Sequence, residues 1–164
     1  MRSERMVAQL EKLERQAKYV IAETYSLPNV SEFHDMSHDI APEQLWDNIV
    51  VNNSHLSMYE NKLGEVRELY RELKWAYELA LQEALANQPK TSSKSTVKER
   101  EAKILSEDDQ LYESSRVLHR LSGRIERLEG IRSSYKALSD AASRLVTVRQ
   151  MDLELSRTRR MMGE

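Results

Sequence analysis

Residues 42–87 read PEQLWDNIVVNNSHLSMYENKLGEVRELYRELKWAYELALQEALAN. Leu45, Ile49, Asn52, Leu56, Tyr59, Leu63, Val66, Tyr70, Leu73, Tyr77, Ala80 and Ala84 step by four and three without a break. That spacing is a heptad seam, one apolar stripe along a helix, sustained over more than five heptads. Pro42 suits the first helical turn, and Glu43 suits the positive end of the helix dipole. At 1.5 Å per residue such a helix is roughly 69 Å long. Its seam needs a partner helix, from this chain or from another copy. Asn52 lies on the seam, where a lone polar residue fixes register or oligomer state at a cost in stability.

The rest of the chain agrees with long helices and few connections. Of 164 residues only 4 are Gly and 3 are Pro, and 32% are charged. Average usage is near 7% Gly and 5% Pro, and sheets and compact α/β folds need the turns that these residues make. There are no cysteines, so disulfides and Cys-ligated zinc are excluded. No window approaches ~18 consecutive apolar residues, the length needed to span a bilayer. Met1 to Gln9 holds no apolar run of the signal-peptide kind, and the expectation is a cytoplasmic protein without membrane contact.

Working outward, Met6, Leu10, Leu13, Ala17 and Val20 give a first helix over 3–25, ended by Pro28. Residues 26–41 form a connection rich in turn and cap formers, with Phe33 and Ile40 placed to pin it to the bundle. A polar basic linker covers 88–95. Thr96 and Glu99 then make a capping box, opening a third helix over 96–160, with or without a bend. Leu118, Leu121, Ile125, Leu128, Ile131, Tyr135, Leu138, Ala142, Leu145 and Val148 carry its stripe. Gly123 and Gly130 interrupt it, each costing about 1 kcal/mol against Ala, and mark a kink or a close helix approach. The short linker makes helices two and three an antiparallel hairpin. The expectation is one all-α domain, a long coiled-coil-like hairpin plus an N-terminal helix, assembling into a homo-oligomer. Asn52, Leu56, Tyr59, Leu63, Val66 and Tyr70 are the candidate interface.

A net charge of -2 hides a polarised chain. Residues 1–89 carry 9 basic and 15 acidic side chains, and residues 90–164 carry 16 and 12. Lys90, Lys94, Lys98, Arg100 and Lys103 cluster around the linker. Arg116, Arg120, Arg124 and Arg127 follow at spacings of 4, 4 and 3, a basic ridge, and Arg157, Arg159 and Arg160 mark the tail. Arg forks and flexible basic loops both suit phosphate. The competing reading is a solvated helix face with intrahelical pairs, since Glu113, Glu126 and Glu129 lie nearby. Trp75, beside Lys74 and near Arg71, is the best candidate for stacking on a base, whereas Tyr59, Tyr70 and Tyr77 belong to the seam.

Catalytic chemistry is not evident. His34 and His38 stand four apart with acids beside them, but no third ligand is apparent, so a polar cap for helix two is the better reading than a metal pair. His55 and His119 stand alone. There is no phosphate-binding Gly-rich loop, no nucleophile elbow and no acid/base pair. No enzyme and no cofactor are expected.

The stretch Lys98 to Leu111, KEREAKILSEDDQL, resembles the opening of the C-terminal helix of phage recombination mediators of the UvsY family. The order is also similar over roughly Asn52 to Met151: a helix ending in an aromatic, Ala-rich stretch, a short polar loop, then a long helix. The resemblance implies an all-helical, ring-forming protein that binds single-stranded DNA and helps a RecA-like recombinase displace the single-strand-binding protein. The family's basic patch near the end of the first hairpin helix falls here on Glu78 to Ala86, which is acidic or neutral. The alternative is a structural or scaffolding coiled coil, for example in phage assembly, that binds no nucleic acid.

Overall fold

A computed structural model of the chain describes residues 4–24, 42–87 and 96–162. Among these residues the chain is helical almost throughout: α1 Glu4–Ala22, α2 Pro42–Asn87, α3 Val97–Glu107 and α4 Asp109–Met162. The fold class is all-α. The described residues fall into two compact units, one of 4–24, 63–87 and 96–127, the other of 42–62 and 128–162.

The seam of α2 is buried along its length. Leu45, Ile49, Tyr59, Val66, Leu73 and Ala80 are all in the core, and Leu56, Tyr70, Tyr77 and Ala84 are half-buried. In the second unit Leu45 and Ile49 pack on Ala142, Leu145 and Val146 of α4. Tyr59 and His55 both stack on Tyr135, with ring centroids 5.3 and 5.5 Å apart. Glu60 pairs with Arg132 at 3.0 Å, and Ser139 donates to Asn53 at 2.8 Å. Burial, then the neighbouring Tyr59, pushes the Tyr135 hydroxyl above its ordinary pKa. Asn52 is 1% exposed, and its side-chain Nδ2 has no hydrogen-bond partner.

In the first unit α1 lays Leu10, Leu13 and Ala17 inward. It meets α4 through polar contacts as well. Gln110 donates to the Val7 carbonyl, Ser114 donates to Glu14, and Lys18 pairs with Glu113 at 3.0 Å. Arg100 of α3 donates to the Leu85 carbonyl of α2 at 2.5 Å. Tyr77 faces Ser115, and burial raises its hydroxyl pKa.

Three boundaries differ from the sequence reading. The first helix stops at Ala22 rather than 25, because the buried Arg124 guanidinium takes the Glu23 carbonyl, as cations do at helix C-termini. The third helix is interrupted at Asp108, whose backbone is extended (φ -122°, ψ 95°) and whose Oδ1 accepts from the Leu111 N–H, capping α4. Asp caps a helix better than it continues one. The helix resumes and runs to Met162. The start of α3 is as expected: Thr96 and Glu99 exchange both hydrogen bonds of a capping box. Gly123 and Gly130 cause no break in α4, and nothing lies within 4 Å of where a Cβ would stand.

Leu63 is 2% exposed. Leu63→Ala should cost about 2–5 kcal/mol, and Leu63→Asp more, because an unpaired carboxylate enters an apolar core. Asn52→Leu should stabilise by about 1 kcal/mol, since it removes a buried donor that has no partner. Urea unfolding followed by circular dichroism measures all three. Wild-type midpoints for the Leu63 variants would contradict the buried seam.

Candidate nucleic-acid interface

Each α-helical residue turns about 100°, so a step of four residues drifts by about 40° and a step of three by about -60°. Two successive steps of four therefore carry Arg124 some 80° away from Arg116. The structure places it accordingly: Arg124 is 8% exposed and spent on the end of α1. It leaves the ridge that the sequence spacing assigned it to. The face that remains is Tyr112, Arg116, Arg120, Gly123 and Arg127, spaced 4, 4, 3 and 4, and every one of these residues is exposed. Arg116 stands over the Tyr112 ring at 5.9 Å, within cation–π range.

The electrostatics of this face centre on Glu113. It accepts from Lys18 of α1 at 3.0 Å and from Arg116 at 3.2 Å. The Lys18 hydrogen bond, with the charges of Lys18, Arg116 and Arg120, holds the Glu113 carboxyl below its ordinary pKa, although desolvation opposes the shift. One carboxylate thus lies among three cations. Arg120 and Arg127 have no ion pair or hydrogen bond among the described residues. Tyr112 is 53% exposed, so its ring is open to a ligand as well as to Arg116.

The other sequence candidates are dispersed. Lys90 and Lys94 lie outside the described residues, as do His34 and His38. Lys98 is exposed at the start of α3. Arg100 is half-buried and serves the α2–α3 junction, so it is a structural side chain. Lys103 pairs with Glu107, and Lys74 with Glu78, each at 3.8 Å. Trp75 is 59% exposed, but it shares its recess with Gln9, Arg71 and Glu72. With Glu72 and Glu78 near, that surface is poor for a polyanion. Asn52, Tyr59, Leu63 and Val66, expected at an interface between copies, are buried within the chain itself, and Leu56 and Tyr70 are half-buried. One protomer already covers most of the seam. Among the described residues no group of three His, Asp or Glu is placed to hold a metal, and no helix is long and apolar enough to cross a membrane.

Sequence reasoning missed Tyr112 and Lys18. Tyr112 was accessible from its position four residues before Arg116. Lys18 was not, because it reaches the face only through the packing of α1 on α4.

No family model, curated protein or solved structure matches the chain.

The two kinds of arginine separate in stability. Arg124→Ala should cost about 1.5–3 kcal/mol, the range for a hydrogen bond to a charged group. Arg120→Ala and Arg127→Ala should stay within about 0.5 kcal/mol of wild type. Thermal unfolding of the three variants decides it, and equal losses would erase the distinction. Because its folded pKa is depressed, Glu113 stabilises above the ordinary carboxylate pKa, and this contribution is lost as pH falls through the lowered value. Glu113→Gln removes the same charge at neutral pH and should abolish that part of the acid dependence.

Proposed function

We propose that this protein is a non-catalytic accessory protein that holds single-stranded DNA along the Tyr112–Arg127 face of α4 and acts as a homo-oligomer. The observation that carries the reading is the row of exposed cations there, with Arg120 and Arg127 unpaired among the described residues and Gly123 between them. Guanidinium forks take phosphate oxygens two at a time. A glycine with open space in front lets a sugar-phosphate backbone come close, and Tyr112 offers a ring on which a base stacks. Such a surface reads no sequence, which suits a protein that must act on any single strand.

The similarity of Lys98–Leu111 to the recombination mediators supplies the biological role in this reading. The protein helps a RecA-like recombinase displace a single-strand-binding protein. On this reading α2 and α4 run as an antiparallel hairpin. The order of the pairs Asn53–Ser139, Tyr59–Tyr135 and Glu60–Arg132 supports that arrangement. The 88–95 linker, with Lys90 and Lys94, and Lys98 beyond it add phosphate contacts.

Fluorescence anisotropy with a labelled oligo(dT) over a salt series tests the reading. Wild type should bind at low salt, with affinity falling linearly on a log–log plot. Each phosphate contact removed should lower the slope by about 0.7 on single strands. Arg120→Ala with Arg127→Ala should therefore flatten it by about 1.4, Lys90→Ala with Lys94→Ala and Lys98→Ala should flatten it further, and Glu113→Gln should tighten binding. If wild type binds no oligonucleotide even at low salt, the DNA reading fails and the scaffolding coiled coil is the better account.

A further inference from the structure

The α4 C-terminus and the groove between α1 and α2 are chemical complements. From Met151 to Met162 every residue of α4 is exposed, including Leu153, Leu155, Met161 and Met162. Leu153 borders a recess with Leu45, Trp46 and Val146 of its own chain, beyond it no residue of the helix end is buried, and large apolar side chains left exposed mark an interaction surface. Leu153, Arg157, Arg160 and Met161 sit at i, i+4, i+7 and i+8, one face of mixed apolar and basic character. In the first unit α1 and α2 bound a groove of about 630 Å³. Its α2 wall is Glu65, Glu68, Leu69 and Glu72, at i, i+3, i+4 and i+7, and Tyr19 and Val20 form its α1 wall. Arg15, its one basic lining residue, directs Nε to the Glu11 carbonyl.

We propose that the groove receives the α4 C-terminus of a second copy of this chain, with Arg157 and Arg160 on the α2 glutamates and Leu153 and Met161 against Tyr19, Val20 and Leu69. Arg residues three apart on one helix match Glu residues three or four apart on another, because both spacings place side chains about one turn apart. The contact joins different patches of the two partners. It is therefore heterologous and propagates from copy to copy, closing into a ring where the rotation allows. The inference rests on the self-association half of the proposed function and is independent of the DNA half. It also relocates the interface from the α2 seam, which one protomer mostly buries.

Charge reversal tests it in the full-length protein. Glu68→Lys with Glu72→Lys, and separately Arg157→Glu with Arg160→Glu, change exposed residues, so circular dichroism should be unaltered. Each pair should weaken association roughly tenfold or more in sedimentation velocity, the size expected when two interfacial ion pairs become repulsions. Mixing the two variants should restore a complex, since the reversed groove then meets a reversed tail. Three results would overturn the inference: wild type monomeric at micromolar concentration, either variant keeping wild-type mass, or a mixture that stays dissociated. The first also removes self-association from the proposed function. The other two remove only this contact, and oligonucleotide binding through Arg120 and Arg127 is read separately in the same samples.

Discussion

Burial of the α2 seam is the constraint from which the rest follows. A helix of 46 residues gains little from intrinsic propensity, and most of its stability comes from a covered apolar face. In the second unit Leu45 and Ile49 find α4, and the Tyr59–Tyr135–His55 stack continues the contact. In the first unit Leu63, Val66, Leu73, Ala76 and Ala80 are buried together with residues of α1, α3 and α4. Once these positions are committed to the core, the outward positions of each helix are free to carry charge. The polar faces are thus defined by what the seam excludes, and any function must be sought there.

The seam was legible because its signal is local and repeated: a dozen residues at heptad spacing leave no other periodic reading. The capping box was legible for a related reason, since Thr96 and Glu99 satisfy each other within a single turn. Features set by distant contacts were not. The end of α1 depends on Arg124, roughly a hundred positions along the chain, and no property of Ala22 or Glu23 announces it. Asp108 lay between periodic segments on both sides, and a continuous stripe overrode one cap-forming side chain.

The basic ridge shows how a spacing argument succeeds in part. Spacings of 4, 4 and 3 place four arginines near one another on a helical net, and three of them do share the exposed face. The fourth shows that the net has a boundary: 80° of drift takes a side chain from solvent to the neighbouring helix. Arg124 then ties down a carbonyl, whereas Arg120 and Arg127 remain open. Residue type is the same for all four; the angular drift already sets Arg124 apart, and what the spacing does not give is its partner, the end of α1. Glu113 is a further case. Read locally, it looks like a neutralising partner for Arg116. With Lys18 delivered by α1, it becomes one anion among three cations, and the Lys18 hydrogen bond, foremost, holds its pKa down.

Gly123 joins the fold to the proposed function. A glycine inside a helix costs about 1 kcal/mol against alanine, and a packing reason normally accompanies it. Here the described residues supply none, because a Cβ at 123 would meet no atom within 4 Å. The residue also lies on the same exposed face as Tyr112, Arg116, Arg120 and Arg127. Gly64 and Gly130 are equally open; what sets Gly123 apart is its place between Arg120 and Arg127 on one exposed face. In the proposed function that position lies under an anion extended along the helix, and the absence of a side chain there lets the anion come close.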